Sequence, residues 1–229
     1  MKINLDGSGW EADYFLSEDQ YNSWRSRSRN LENMLIDSAL SSGFVRGAAA
    51  PGAMHGAIPG CDRTFLLENG GLPDPFFGRN LEQTEWAEKY SWAFRRTFRV
   101  PDHWRGSRVR IDFKGIDYEA LFFFNGELLG HHKGMFIPVG YDITGLVRFG
   151  EDNLIAVVFF PAPQGKPNHR DHEPADFAGF HRTQMGFGWD WSRKLVPTGI
   201  WDNVTVSAYE NTRLRDWHFT HDGGKVHLS

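Results

Sequence analysis

From Tyr90 onward the chain changes sides at every residue. Trp92, Phe94, Phe98 and Val100 are interleaved with Ser91, Arg95, Thr97 and Arg99, and Val109, Ile111 and Phe113 with Arg108, Arg110, Asp112 and Lys114. Successive side chains of a pleated strand point to opposite faces, so each run predicts a strand with one dry and one wet face. Tyr118 to Phe124 and Leu154 to Phe160 are almost wholly apolar and predict strands buried on both faces. The first of these ends at Asn125-Gly126, a pair suited to a hairpin whose two central residues need positive φ, and Leu128-Leu129 returns from it. Phe136 to Tyr141 predicts a further strand at a sheet edge, because Pro138 cannot donate to a ladder. Asp142 to Val147 reads as a turn or short helix, residues 150–153 as a turn, and Ile200 to Tyr209 as one more alternating strand. Several strands separated by turns, with few helical stretches between them, predict an all-β sandwich.

The first third of the chain is less regular. Residues 3–16 predict an opening strand. Ser17-Glu18-Asp19-Gln20 then fits a capping box, with Ser at the N-cap and Gln three positions on. Trp24, Leu31, Met34, Leu35, Ala39 and Leu40 follow at helical spacing, and Gly43 supplies a stop. One or two short helices over 18–42 are therefore expected as an insertion in a β domain. Ala48 to Pro75 is rich in Gly and Pro and predicts loop, with a short helix near Thr64–Glu68. Pro161 to Gly186 predicts a long polar loop, of the kind that is functional or disordered. Leu214 to Ser229 starts a β pattern without completing a sheet.

Composition excludes several classes of function. The formal net charge of -4 supplies no field for nucleic acid. Arg25, Arg27 and Arg29 are the one basic cluster and read as a solvated face. Cys61 is alone, which rules out an intrachain disulfide and a cysteine zinc site. No run of about 18 apolar residues is present to span a membrane, and Met1 to Asp6 has no signal-peptide core, so a cytoplasmic location is expected. His169-Arg170-Asp171-His172-Glu173 holds metal-binding side-chain types without the spacing of a closed site, and no metal or other cofactor is expected. The same segment lacks the downstream Asn of a kinase catalytic loop, and no Gly-x-Ser-x-Gly elbow exists for a serine nucleophile. Asn203-Val204-Thr205 matches a glycosylation acceptor but falls in a strand, where chance explains it.

Gly186-Phe187-Gly188-Trp189-Asp190-Trp191, followed by Gly199-Ile200-Trp201, is the segment richest in chemistry. Trp offers a flat apolar face with one N–H donor, and an ionised Asp offers only acceptors. That combination suits a pyranose, which has an apolar C–H face and a rim of hydroxyls. A core Trp pair with Asp190 capping a turn uses the same residues, and the local sequence leaves both readings open.

The chain also resembles the N-terminal sugar-binding domain of glycoside hydrolase family 2, most closely its β-mannosidase branch. The resemblance is carried by Ala50-Pro51-Gly52-Ala53-Met54-His55, by Gly71 to Gly78, and by Glu85-Trp86 with Tyr90 to Phe98. It continues through Phe113-Lys114-Gly115-Ile116-Asp117, Asn125-Gly126 with Leu129-Gly130, and Phe187 to Trp191 with Gly199-Ile200-Trp201. These pieces stand in the family's order from about residue 44 to 209; each is weak alone and the ordered set is specific. It implies a jelly-roll, galactose-binding-like β-sandwich over 1–212, with the helical insertion at about 18–42. Residues 213–229 would begin an immunoglobulin-like domain, followed by a (β/α)₈ barrel with two catalytic glutamates.

Retaining hydrolysis needs two carboxyl groups about 5–5.5 Å apart. Glu119, Asp117 and Asp190 are the tempting carboxylates here, but none lies in a barrel motif, and Glu119 reads as the face of a strand. No catalytic residue is therefore expected in this chain, which alone would be inactive. The resemblance implies instead that Trp189, Asp190 and Trp191 bind substrate, Asp190 accepting from sugar hydroxyls while the indoles wall the pocket. The expected partner is a sugar, met together with the missing barrel, and neither nucleic acid nor membrane; an oligomeric state is not legible. Three features depart from the family pattern. Ser192-Arg193 replaces Gly-Pro, His181-Arg182 replaces Arg-Lys before Thr183-Gln184, and the insertion at 18–42 is unusual. β-Galactosidase and exo-β-glucosaminidase specificities, and a stand-alone carbohydrate-binding module, therefore stay open.

Overall fold

The alternating runs become antiparallel strands whose apolar faces meet. In chain order these are β1 (Lys2–Asn4), β2 (Gly7–Ser17), helix α1 (Leu31–Ser42), β3 (Met54–Ile58), β4 (Gly60–Cys61) and helix α2 (Asp62–Glu68). There follow β5 (Tyr90–Arg99), β6 (Arg108–Phe113), β7 (Ile116–Asp117), β8 (Glu119–Phe124), β9 (Glu127–Lys133), β10 (Val139–Asp142) and β11 (Asp152–Phe159). The last are β12 (Gly199–Ile200), β13 (Val204–Tyr209), β14 (Phe219–Asp222) and β15 (Lys225–Leu228). The structure is a computed structural model and describes residues 1–17, 31–162, 180–188, 193–210, 212–213 and 218–228.

Six strands form one sheet in the order β3-β2-β5-β11-β8-β9, and four form a second in the order β1-β13-β6-β10. Trp10, Phe94, Phe122, Phe124, Ile155 and Val157 from the first meet Val109, Ile111, Phe113, Val204 and Val206 from the second in one buried cluster. Trp10 and Trp92 are fully buried, and their indole N–H groups are satisfied by Leu5 O and Ala87 O, each at 2.8 Å. A buried donor left unpaired would cost more than the ring gains in specificity. The fold is an all-β sandwich.

The two apolar runs are buried on both faces for a visible reason. Phe122 and Phe124 face the inter-sheet core, while Leu121, Phe123, Ala156 and Val158 face outward and are covered by Leu35 and Ala39 of α1 with Phe44 and Val45. The helix expected within 18–42 thus exists over 31–42 and roofs the six-stranded sheet; residues 18–30, with the expected capping box, lie outside the described residues. The hairpin turn forms as expected, with Asn125 at φ 51 and Gly126 at φ 86. The Asn125 side chain also donates to Leu146 O and accepts from Leu154 N, both at 2.9 Å, and so ties the hairpin to the neighbouring turn.

Several boundaries differ from the sequence expectation. The opening strand is two strands in different sheets, because Gly7 at φ 84 turns the chain between them. Asp6, just before it, accepts from the backbone N–H of Val204 at 2.9 Å and from the Asn203 side chain at 2.5 Å. The segment read as loop over 48–75 contains β3 and β4. A Cβ on Gly56 would lie 2.8 Å from the Phe65 ring, so the glycine that hides the strand signal is what lets α2 pack against it. The strand expected from Phe136 begins only at Val139, after Pro138, and β10 is an edge strand as that proline demands. Ile200 to Tyr209 is likewise divided, with β12 joining β4 and β7 in a separate three-stranded sheet in the order β4-β12-β7. β14 and β15 form a two-stranded hairpin of their own, with Phe219 and Val226 exposed.

Candidate functional site

The small sheet positions four charged side chains in the interior. β4 runs directly into α2, so Asp62 and Arg63 enter the fold at the helix start; Asp62 is fully buried and Arg63 is 4% exposed, and the two form an ion pair. Asp62 also accepts from its neighbour's backbone, Arg63 N, at 2.7 Å and from Thr198 N at 3.2 Å, while its own N–H donates to Thr198 O at 2.9 Å. One residue past Thr198 begins β12, whose Gly199 pairs with both Cys61 of β4 and Asp117 of β7. A Cβ on Gly199 would sit 2.4 Å from Gly60 O, so only glycine permits this approach of three backbones.

Asp117 is 6% exposed and faces Arg182, which is 7% exposed and comes from the far end of the long loop. Arg182 Nη2 donates to Asp117 Oδ2 at 2.8 Å. Its Nε lies 2.7 Å from Oδ1, an ionic contact without hydrogen-bond alignment, which leaves Oδ1 buried and unbonded. The same Nη2 donates to Pro197 O, and the guanidinium carbon lies 5.5 Å from the centre of the Phe187 ring. Burial pushes the Asp117 carboxyl up to about 6 against the opposing pull of Arg182, with the Asp62 charge adding to the rise. Burial likewise raises Asp62 above the usual carboxylate range, with Arg63 pulling the other way. The network is not saturated: Arg63 Nε and Nη2 and Arg182 Nη1 are buried without a hydrogen-bond partner.

Around this charged floor the loop closes on itself. Leu195 N donates to Gly186 O at 2.7 Å. Lys194 pairs with the buried Glu88 and Arg193 with Glu82, which fastens the returning limb to the segment before β5. On the other side Met135 N donates to His181 O at 3.3 Å and Trp201 Nε1 to Met135 O at 3.1 Å, and Phe136 stands edge-on to Trp201 with centroids 6.2 Å apart. Two cavities flank Asp117, Met135 and Pro197, which line both. One of about 270 Å³ is bounded further by Arg182, Phe187 and Leu195. The other, of about 340 Å³, is bounded by Cys61, Thr64 and Trp201. Both are apolar-walled with few polar groups, as small-molecule sites are. A larger groove of about 910 Å³ crosses the outer face of the four-stranded sheet. There Asp112 is held by Arg110 at 2.7 Å and Arg213 at 3.0 Å.

Trp189, Asp190 and Trp191 lie outside the described residues, as does the His169–Glu173 segment. What the structure describes is their frame: Phe180 to Gly188 on one side and Arg193 to Thr198 on the other. Asp117, one of the tempting carboxylates, is a buried ion-pair partner. Glu119 is a strand-face residue as read, holding His131 Nε2 and Lys133 Nζ at 3.0 Å each. In the sequence Arg182 is only a departure from a pattern, and nothing sets Asp62 and Arg63 apart; charged residues are seldom buried, so their type does not announce the network. The half-buried Cys61 has its thiol pushed up to about 11 by burial and by the neighbouring Asp62 charge, which disfavours the thiolate. Among the described residues no three His, Cys, Asp or Glu side chains converge as metal ligands, and no helix is long and apolar enough to cross a membrane.

Residues 24–202 match the family described as the glycosyl hydrolase 2 galactose-binding domain-like domain. The chain belongs to that family. Among its relatives, β-mannosidase B of Emericella nidulans is 27% identical over 186 residues, which are 75% of this chain and 22% of that protein. β-Mannosidase B of Thermothelomyces thermophilus is 29% identical over 161 residues, 66% of this chain and 19% of that protein. Among solved structures, the β-D-mannosidase of Dictyoglomus thermophilum superposes with a TM-score of 0.71 at 25% identity, over 96% of this chain and 24% of that one. A β-glucuronidase of Ruminococcus gnavus shares the fold, with a TM-score of 0.60 at 18% identity over 97% of this chain and 30% of that one. As a glycoside hydrolase family 2 N-terminal domain, the chain spans only about a fifth of the length of the curated relatives it matches.

Proposed function

We propose that this domain belongs to a retaining, exo-acting glycosidase of β-mannosidase type and shapes the glycone pocket while supplying no catalytic carboxylate. The single observation that carries the reading is the likeness to the Dictyoglomus thermophilum β-D-mannosidase, which covers nearly all of this chain and only 24% of that one. In this reading the catalytic acid/base and nucleophile sit on a barrel that packs beside the loop described above. Trp189 and Trp191 wall the sugar ring and Asp190 accepts from its hydroxyls. The buried carboxylates that the structure does describe, Asp62, Asp117 and Glu88, are paired with Arg63, Arg182 and Lys194 and are not free for proton transfer.

Residues 213–229 are assigned to a following immunoglobulin-like domain. β14 and β15 make an exposed hairpin, and a lone two-stranded hairpin is marginal in water until something packs on it.

The test is an assay of the full-length protein on a panel of nitrophenyl glycosides, with Asp190→Asn beside it. Cleavage of the β-mannoside, and a fall in kcat/KM on Asp190→Asn that far exceeds the loss of stability, is expected. Preference for the β-galactoside or β-glucosaminide would move the specificity within the family. No cleavage of any glycoside, together with tight glycan binding by this domain alone, would overturn the reading in favour of a binding module.

A further inference from the structure

We infer that Arg182 and Asp117 are positioning residues, a clamp that ties together the limbs at Phe187 and Pro197, between which Trp189, Asp190 and Trp191 lie in the sequence, and so governs glycone recognition without touching the sugar. The inference rests on the glycosidase reading above. One guanidinium bridges three parts of the chain that are far apart in sequence. It reaches Asp117 on β7, Pro197 on the returning limb, and the ring of Phe187 on the outgoing limb. The returning limb is then held a second time by the Thr198–Asp62 bonds and closed onto the outgoing one by Leu195 N to Gly186 O. The limbs that precede and follow residues 189–192 in the sequence are thus both tied, through Phe187 and Pro197, to one buried charge pair.

Burial is what gives the pair this role. An exposed Arg–Asp contact is loose and screened by salt, whereas a buried one with both partners over nine-tenths covered is fixed, and losing either partner strands a charge. The long side chain of Arg182 is moreover stacked as well as bonded, so lysine, a point charge on a flexible stem, does not reproduce its geometry. A displacement of about 1 Å at a recognition element costs roughly 100-fold in rate, so a loosened clamp registers in catalysis as well as in folding.

The experiment compares Arg182→Lys, Arg182→Met, Asp117→Asn and the double variant Arg182→Met/Asp117→Asn in the full-length protein. Arg95→Met serves as a control, because it removes another buried arginine and breaks its ion pair with the half-buried Glu11 on the six-stranded sheet. The expected result has four parts. kcat/KM for the nitrophenyl glycoside falls by about 10- to 100-fold in each single variant, and the double variant is no worse than the singles. Free guanidinium ion partly restores an Arg182→Ala protein. Hydrogen exchange quickens in peptides containing Leu195 and Thr198 but not in those of β5 or β11. Arg95→Met should lower Tm and leave kcat/KM unchanged at temperatures where the protein is folded.

The clamp is overturned if exchange at Leu195 and Thr198 is unaltered. It is equally overturned if Arg95→Met costs as much activity as the clamp variants for the same loss of Tm. A wild-type protein that cleaves no nitrophenyl glycoside sinks the glycosidase reading, and the clamp's assigned role with it. That outcome is seen before any variant is made, so the two failures are told apart.

Discussion

Leu195 and Gly186 meet across the loop base, the N–H of Leu195 donating to the carbonyl of Gly186 at 2.7 Å, and the contact leaves no room for a side chain at 186. A Cβ there would lie 2.7 Å from Leu195 O. Gly186→Ala is therefore expected to force the limbs apart at a cost of about 1–3 kcal/mol, the range for overpacking a tight contact. Urea unfolding measures it; a change within the noise of the wild-type curve would show that the base is free to yield.

The Asp117 carboxyl, pushed up to about 6 in the folded protein against 3.8 ordinarily, gives a pH signature with a definite sign. The folded state holds this proton more tightly than the unfolded chain does. Between about pH 4 and pH 6 the native protein thus binds more protons, and stability falls as pH rises through that window and is level above it. Asp117→Asn removes this one contribution. The unfolding free energy of wild type minus that of the variant should accordingly decrease from pH 4 to pH 6 and then stay flat. A difference that grows with pH over the same range would contradict the burial-dominated environment of this carboxyl.

Leu35 of α1 is fully buried against the outer face of the six-stranded sheet. Leu35→Ala should cost about 2–5 kcal/mol, as core truncations do. Ile137→Ser, at a position 52% exposed, should stay within about 0.5 kcal/mol of wild type. Paired denaturant curves decide the matter, and equal effects at the two sites would mean that α1 does not roof the sheet in solution.

Cys61 should be sluggish toward alkylation. With its thiol pushed up to about 11, almost none is thiolate at neutral pH, and the thiolate is the reactive form. The rate with iodoacetamide should be well below that of a free cysteine at the same pH and should rise in urea. A rate equal to that of free cysteine in the native protein would show that Cys61 is more open than its surroundings indicate.

How much of this was readable beforehand follows from what each element needed. Strands β5, β6, β8 and β11 were legible because a two-residue period and a continuous apolar run are properties of the local sequence. The Asn125-Gly126 turn was legible because its φ values restrict residue choice. β3 and β4 were not, since Gly56, Pro59 and Gly60 read as loop while serving close packing that only the partner segment reveals. The break at residues 201–203, where the chain leaves one sheet for another, carries no periodic mark either. The candidate site divides in the same way. Its aromatic segment was found through glycines and indoles in series, but the charges beneath it pair over long separations, Asp117 with Arg182 and Asp62 with Thr198. Such pairing depends on topology rather than on spacing.

Roofing of the six-stranded sheet by α1 sets a lower limit on how far this domain can be trimmed. A version with residues 31–42 excised would retain every strand of both sheets, yet would uncover Leu121, Phe123, Ala156 and Val158 together on a broad outer surface. Such a surface favours precipitation over solubility. The segment that looks most like an ornament to the sandwich is therefore what allows its central strands to be apolar on both sides.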